Sequence, residues 1–217
     1  MVSSILLLCT DPDGFFRRDP KEWSNLKIPA AIVLVSGILS AVAGYLLAQV
    51  LSGIFPEGIQ GVSNLAPIMG FAAAAGGLVS VFFIWAAYTV VFYVISMIFM
   101  GKGTFTRTLA AVGYGFLPTT IGGLIDLIIL WAYLPGIRVS PVKDVMDIQS
   151  ATTALTHSPL FQITGLISTI FLLWSASIWI FGLRYNRELT LRNAAISVGL
   201  PVLGYMAITI VSMGVFS

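Results

Sequence analysis

A single long apolar stretch limits what this chain can fold into. Positions 68–100 form 33 consecutive residues without a charged side chain. An α-helix of that length extends about 50 Å, whereas the hydrocarbon core of a bilayer is about 30 Å thick. The stretch therefore predicts a membrane-spanning helix that is strongly tilted or that begins as a turn at the membrane surface.

Four other apolar runs are also long enough to cross a bilayer. Only 9% of the residues are charged, against about 25% in an average globular domain, so a water-soluble fold could not cover its own surface. We predict an all-α integral membrane protein with five transmembrane helices in one bundle, preceded by a short interfacial N-terminal segment. The segment is residues 1–27 and the membrane domain is residues 28–217, with spans at about 28–53, 68–100, 108–134, 159–182 and 193–216.

The first span carries small residues at every fourth position, which are Ser36, Ser40, Gly44 and Ala48. This spacing places them on one helix face, where the backbone of a second helix can approach closely. We therefore predict a helix–helix contact along this face. Turn-forming residues predict a loop at 54–67, and residues 142–155 are predicted as a short helix in the connection after the third span.

The N-terminal segment combines aromatic and basic residues. Asp19, Pro20 and Glu22 have the order of a helix start, with an N-cap, a proline at the first helical position and an acidic residue in the first turn. Phe15, Phe16 and Trp23 lie among basic residues, a composition typical of segments at headgroup depth. We predict a segment on the membrane surface; the alternative is an ordinary solvated tail.

The basic residues are distributed unequally between the two faces of this five-span arrangement. One face holds only Arg138 and Lys143, and the other holds nine of the 11 cations: Arg17, Arg18, Lys21, Lys27, Lys102, Arg107, Arg184, Arg187 and Arg192. Short cytoplasmic loops of membrane proteins carry such an excess of lysine and arginine. We therefore predict a cytoplasmic N-terminus and a C-terminus on the outside.

Two spans contain a proline, and one contains a carboxylate. Pro118 should kink the third helix and Pro201 the fifth, because proline removes a backbone donor. Asp126 is the only formally charged residue within any predicted span. A carboxylate at that depth costs roughly 2.5–3.5 kcal/mol on insertion scales, so it should face the bundle interior, water or a partner. Asp126 is thus either a structural or snorkelling residue, or a proton or ligand site.

Catalytic chemistry has little basis in this sequence. His157 is the single histidine, and no His, Cys or carboxylate group has metal-ligand spacing. The turn at Gly101-Lys-Gly is too short to be a phosphate-binding loop. We predict a protein without catalytic residues, metal or cofactor, and without nucleic acid as a partner.

Three sequence elements resemble those of a known family. They are Gly101-Lys-Gly-Thr-Phe, which leads into Gly113-Tyr114 and Leu117-Pro118; Leu173-Trp174 with Trp179-Ile-Phe-Gly-Leu-Arg184; and Arg192-x-Ala-Ala before a proline. In this order and spacing they are similar to the Yip-one domain family, the Ypt/Rab-interacting membrane proteins. The resemblance covers most of residues 10–215.

The resemblance implies a five-helix membrane domain with a cytoplasmic N-terminus, and it carries over to Gly113, Tyr114 and Pro118. Eukaryotic members bind lipidated Rab GTPases and bear an Asp-Leu-Tyr-Gly-Pro element in a long N-terminal arm. Here the arm is short, and the nearby element Asp11-Pro-Asp-Gly-Phe-Phe16 does not match. The chain therefore resembles a compact member in a prokaryotic cell membrane, for which Rab binding is not expected.

Two functions remain open at this point. The first is a membrane scaffold or adaptor that binds membrane lipids, other membrane proteins or a second copy of itself. Its contacts would come from the basic loops, namely Arg17, Arg18, Lys102, Arg107, Arg184, Arg187 and Arg192, unless these cations only set the topology. The second is a small transporter, channel or lipid scramblase that uses Asp126 and a polar cavity between the third and fifth helices, kinked at Pro118 and Pro201.

Overall fold

The computed structural model describes residues 2–52, 62–133 and 159–212, and within these ranges it contains helices and no strand. Three short helices come first and six longer ones follow. They are α1 (Val2–Thr10), α2 (Pro12–Phe16), α3 (Pro20–Trp23), α4 (Lys27–Ser52), α5 (Val62–Ile98), α6 (Phe105–Tyr114), α7 (Phe116–Tyr133), α8 (Pro159–Asn186) and α9 (Leu191–Ser212).

Five helical stretches of the described chain are long and apolar enough to cross a membrane, which confirms the predicted all-α fold with five spans. The first two spans are α4 and α5, and the last two are α8 and α9. The third span consists of α6 followed by α7. Helix α5 begins at Val62 and continues through Pro67, so the last part of the predicted loop 54–67 is helical. A proline this close to an open N-terminus removes few helix hydrogen bonds. The predicted short helix at 142–155 lies outside the described residues.

The third span is broken rather than bent. Helix α6 ends at Tyr114, and Gly115 separates it from α7. Pro118 has no amide to donate to the carbonyl of Tyr114 four residues earlier, so the helical ladder is interrupted there. The amide of Gly115 instead closes the last turn of α6 on the carbonyl of Ala111, at 3.3 Å. The break thus lies three residues before Pro118, the residue from which we predicted a kink.

Helix α6 is the centre of the bundle. Its residues from Ala110 to Tyr114 are all buried, and it packs against α4, α5 and α8. Helix α7 packs against α4 and α8 and leaves side chains such as Trp131 exposed. Helix α9 runs without interruption through Pro201 and packs against α8 and α5. The break in the third span therefore separates a half whose later residues are buried from a half with a lipid-facing side.

The small residues of α4 make the predicted close contact, and their partner is α5. A Cβ placed on Gly44 would lie 2.9 Å from the carbonyl oxygen of Ala73, and one on Gly77 would lie 2.7 Å from that of Ser40. Contacts this short exist only because no side chain intervenes. These residues therefore set the distance between the first two spans.

The N-terminal segment packs onto the bundle instead of presenting its rings to lipid. Helix α3 starts as predicted, since the Asp19 carboxylate accepts a hydrogen bond from the amide of Lys21 at 2.9 Å. However, Phe15, Phe16 and Trp23 are all buried within the protein. The Phe15 ring meets Tyr114 of α6 edge-on, with ring centres 5.2 Å apart. These rings therefore cover the end of α6 within the protein, and the position of the segment at the membrane surface stays a prediction.

Candidate functional site

Arg187, directly after α8, is a buried clamp at one end of the bundle. Its Nε donates to the hydroxyl of Ser96 at 2.9 Å, and its two terminal nitrogens donate to the carbonyls of Gly101 and Gly103 at 2.7 Å each. The guanidinium also lies 4.2 Å from the ring centre of Tyr93. Because only 2% of Arg187 is exposed, it cannot contact headgroups as predicted; it joins the loop after α5 to the loop after α8.

The Gly101-Lys-Gly turn is shaped for this clamp. Gly103 has a φ of +96°, and a Cβ there would lie 2.2 Å from the carbonyl oxygen of Asn186. The amide of Lys102 donates to the carbonyl of Arg187 at 2.9 Å, so the two loops also pair through their backbones. A Cβ on Gly101 would lie 2.8 Å from the carbonyl oxygen of Ser96 and 3.1 Å from Nε of Arg187. Close approach thus explains both glycines, which agrees with the prediction of a turn.

Asp13 attaches the N-terminal segment to the same end. Its carboxylate accepts hydrogen bonds from Tyr185 at 2.8 Å and from Arg184 at 3.0 Å, and it forms an ion pair with Arg17. The hydrogen bond from Tyr185, together with the bond and charge of Arg17, lowers the pKa of Asp13. Arg17 and Arg184, which we predicted as headgroup contacts, therefore already have an acidic partner within the protein.

We call the surface formed by residues 11–27, 100–107 and 184–192 the basic end. The clamp and Asp13 bring its three parts together, as the charge distribution predicted. Lys102 is exposed and lies 3.7 Å from the exposed carboxylate of Glu188. The remaining exposed cations of the basic end have no ion-pair partner within the described residues; they are Arg18, Lys21, Lys27, Arg107 and Arg192.

Two tryptophans hold α6 in the centre of the bundle. The indole of Trp85 donates to the carbonyl of Leu109 at 2.9 Å, and that of Trp179 donates to the carbonyl of Val112 at 2.8 Å. A Cβ on Gly115 would lie only 2.0 Å from the indole nitrogen of Trp179. The absence of a side chain at Gly115 therefore leaves space for the Trp179 ring, whose indole donates to a carbonyl in the last turn of α6.

The residues carried over from the family resemblance lie beside these tryptophans. Gly113 faces Pro29 of α4, with 2.6 Å between a Cβ placed there and the Cβ of the proline. Tyr114 is 3% exposed, and Pro118 is buried in α7. All three residues are buried in the helix bundle, and none of them belongs to the exposed surface of the basic end.

A cavity of about 530 Å³ lies among α4, α7 and α8, beyond the break in the third span. Leucine and phenylalanine side chains form much of its wall, and the hydroxyls of serines and threonines interrupt them. Its lining includes no described residue of α9. The cavity that we expected between the third and fifth helices is thus formed by the first, third and fourth, and Pro201 does not contribute to it.

Asp126 is the charged residue in the wall of this cavity. One carboxylate oxygen, Oδ2, accepts a hydrogen bond from the hydroxyl of Ser168 at 2.7 Å. The other, Oδ1, is buried and has no hydrogen-bond donor in the part of the chain that the structure describes. Sequence alone singled out Asp126, but the serine partner and the cavity arise only from the packing of α7 against α8.

The sequence as a whole matches the family model of the Yip1 domain over residues 5–213. The chain belongs to the Yip1 domain family. This confirms the resemblance, and together with five membrane-length helices it makes the chain an integral membrane protein of that family.

Among curated proteins, this Yip1 domain protein is similar to one from Methanocaldococcus jannaschii that is described as uncharacterized. The two are 34% identical over 128 residues, which cover 58% of this chain and 88% of the relative. No solved structure gives a significant match to the chain. Within the described residues, no three His, Cys, Asp or Glu side chains are grouped so that they could hold a metal ion.

Proposed function

We propose that this Yip1 domain protein is a non-enzymatic membrane scaffold or adaptor that binds lipid headgroups or protein partners through its basic end. The observation that carries this proposal is the construction of that end. Arg187 and Asp13 hold three separate parts of the chain in one surface, and the unpaired cations project from it.

Fixed cations suit this role better than cations on a mobile tail. A surface charge whose backbone is already ordered loses less conformational entropy on binding. Arg18, Arg107 and Arg192 come from the three different parts of the basic end, yet each is exposed. Together they can contact anionic groups spread over a lipid surface or an acidic protein surface.

The test uses the protein in nanodiscs of zwitterionic lipid, to which vesicles with or without anionic lipid are added. We expect the vesicles with anionic lipid to bind, and added salt to weaken that binding. The triple variant Arg18→Gln, Arg107→Gln, Arg192→Gln should bind at least tenfold more weakly. Arg138→Gln with Lys143→Gln removes the two cations that we predicted on the opposite face and is the matched control. Equal binding by the triple variant and the control would contradict a lipid-binding basic end.

The cavity favours a second candidate, a transporter, channel or lipid scramblase that uses Asp126. A polar group within a span commonly marks a substrate or ion pathway. This candidate requires flux of ions or exchange of labelled lipid between leaflets in liposomes with the purified protein, and a decrease of that activity in Asp126→Asn. Flux or lipid exchange no faster than in protein-free liposomes would reject it and leave the scaffold.

A further inference from the structure

The cavity among α4, α7 and α8 has the composition of a binding site for an amphiphile. Leu39 and Leu47 of α4 and Leu127 of α7 provide an apolar wall, and the carboxylate of Asp126 provides one localised charge. The volume of about 530 Å³ lies within the roughly 300–1,000 Å³ typical of small-molecule sites, which combine an apolar lining with few polar groups.

The described residues compensate the charge of Asp126 incompletely. Ser168 supplies one hydrogen bond to Oδ2, and Oδ1 receives none from the described residues. No lysine or arginine forms an ion pair with Asp126 in the described ranges, where the ion pairs all lie at the basic end. A buried carboxylate oxygen without a donor is unfavourable, so a ligand that donates to Oδ1 would bind favourably there.

The space next to the carboxylate is open. A Cβ placed on Gly123, one turn before Asp126, would meet no atom within 4 Å, whereas one on the adjacent Gly122 would meet the Phe171 ring at 2.8 Å. Ser168 lines the cavity and is exposed at the surface of the helix bundle. A molecule dissolved in the bilayer could therefore enter beside Ser168 and extend past Gly123.

We propose that this cavity binds a lipid-like amphiphile with a cationic nitrogen, whose ammonium group pairs with Asp126 while its alkyl chain lies along the leucine wall. An ammonium group supplies both the missing positive charge and the hydrogen-bond donor for Oδ1. An alkyl chain matches the rest of the lining. This site is separate from the basic end, so it can be tested whatever the basic end binds.

The experiment uses two photoactivatable probes with the same diazirine-bearing alkyl chain, one ending in a primary ammonium and one in an alcohol. The full-length protein in zwitterionic nanodiscs is irradiated with each, and the labelled peptides are identified by mass spectrometry. We expect the ammonium probe to label peptides of α4, α7 and α8, and excess unlabelled alkylammonium to suppress that labelling at least tenfold. The alcohol probe should label these peptides at least tenfold less.

Three variants connect the labelling to the cavity. Asp126→Asn removes the charge and Gly123→Leu fills the space, and each should reduce labelling by the ammonium probe at least tenfold. Asp11→Asn removes a carboxylate at the other end of the molecule and should leave labelling unchanged. The helical signal in circular dichroism verifies that each variant is folded. If Asp126→Asn does not fold, Gly123→Leu still tests whether labelling depends on the cavity.

Equal labelling by the two probes would overturn the proposal, since it would show that the cavity accepts any alkyl chain. Full labelling of a folded Asp126→Asn variant would also overturn it, and would mean that Asp126 is neutralised by a proton instead of by a ligand.

Discussion

The two halves of the third span, α6 and α7, differ although they are adjacent in sequence. Helix α6 is exposed in its first turn but buried from Ala110 to Tyr114, where two tryptophan indoles donate to carbonyls of its last two turns. Helix α7 has one face toward lipid and another toward the cavity. The break at Gly115 thus divides the molecule into a packed basic end and a looser half that contains Asp126.

This difference indicates where the protein can tolerate change. In the packed half, a polar side chain such as Arg187 has specific partners, so its removal leaves other groups unsatisfied in a poorly hydrated place. In the looser half, a side chain can be added at Gly123 without displacing a neighbour. Substitutions in the two halves test this contrast.

Replacement of Arg187 by Met should have the largest effect. The change removes three hydrogen bonds and leaves the carbonyls of Gly101 and Gly103 without the guanidinium. Hydrogen bonds to charged groups contribute about 1.5–3 kcal/mol each, so we expect a loss of at least about 3 kcal/mol. Thermal unfolding in detergent measures it. Arg184→Met, which breaks only a partly exposed pair with Asp13, should cost less than about 1 kcal/mol; similar losses for both would argue against the clamp.

Replacement of Gly115 by Ala should have the second largest effect. The new methyl group would overlap the indole of Trp179, which in turn donates to Val112. Overpacking of this kind costs typically about 1–3 kcal/mol. The unfolding temperature should therefore decrease. If it were unchanged, the indole could move without penalty and the description of α6 as tightly held would be incorrect.

The attachment of the N-terminal segment through Asp13 should depend on pH. The pKa of Asp13 is lower in the folded protein than the usual value of about 3.9. Its stabilisation is therefore present above that usual value and is lost as the pH falls through the lower folded value. Asp13→Asn should decrease stability at pH 7 by up to about 1 kcal/mol.

The control for this prediction is the same pair of proteins in acid. The difference in unfolding temperature between Asp13→Asn and wild type should shrink as the pH falls below the usual pKa of an aspartate, because protonated Asp13 no longer carries its charge. A difference that stays unchanged as the pH is lowered would show that the charge of Asp13 is not what attaches the segment.

Replacement of Gly123 by Ala should have the smallest effect and the opposite sign. The position is helical and open toward the cavity, and alanine is favoured over glycine inside a helix by up to about 1 kcal/mol. Gly122→Ala is the matched control, since its methyl group would press on Phe171. A loss of stability in Gly123→Ala as large as that of the control would contradict an open cavity.

Hydropathy was sufficient to predict the five spans. Because a charged side chain is unfavourable in lipid, each span must be a long stretch with almost no charge. The grouping of the basic loops at one end followed from the same reasoning. The sequence predicted a kink from Pro118. The donor that this proline lacks would pair with the carbonyl of Tyr114, and the helix is interrupted at the adjacent Gly115.

The partners of the site residues could not be read from the sequence. Arg187 directly follows α8 and Arg192 lies in the first turn of α9, yet one is buried and the other is exposed. Their difference depends on Ser96 and on two carbonyls that lie about 85 positions earlier in the chain. Likewise, an aromatic residue such as Phe16 among basic residues gives the same sequence pattern whether its ring contacts lipid or packs against α6.

The clamp also imposes an order on biosynthesis. The carbonyl of Gly101 and the guanidinium of Arg187 are 86 positions apart, and translation at about 5–20 residues per second needs several seconds to span that interval. During this time the glycine turn has already left the ribosome, but its arginine has not been made. The third and fourth spans must therefore both enter the bilayer before this end of the protein can close.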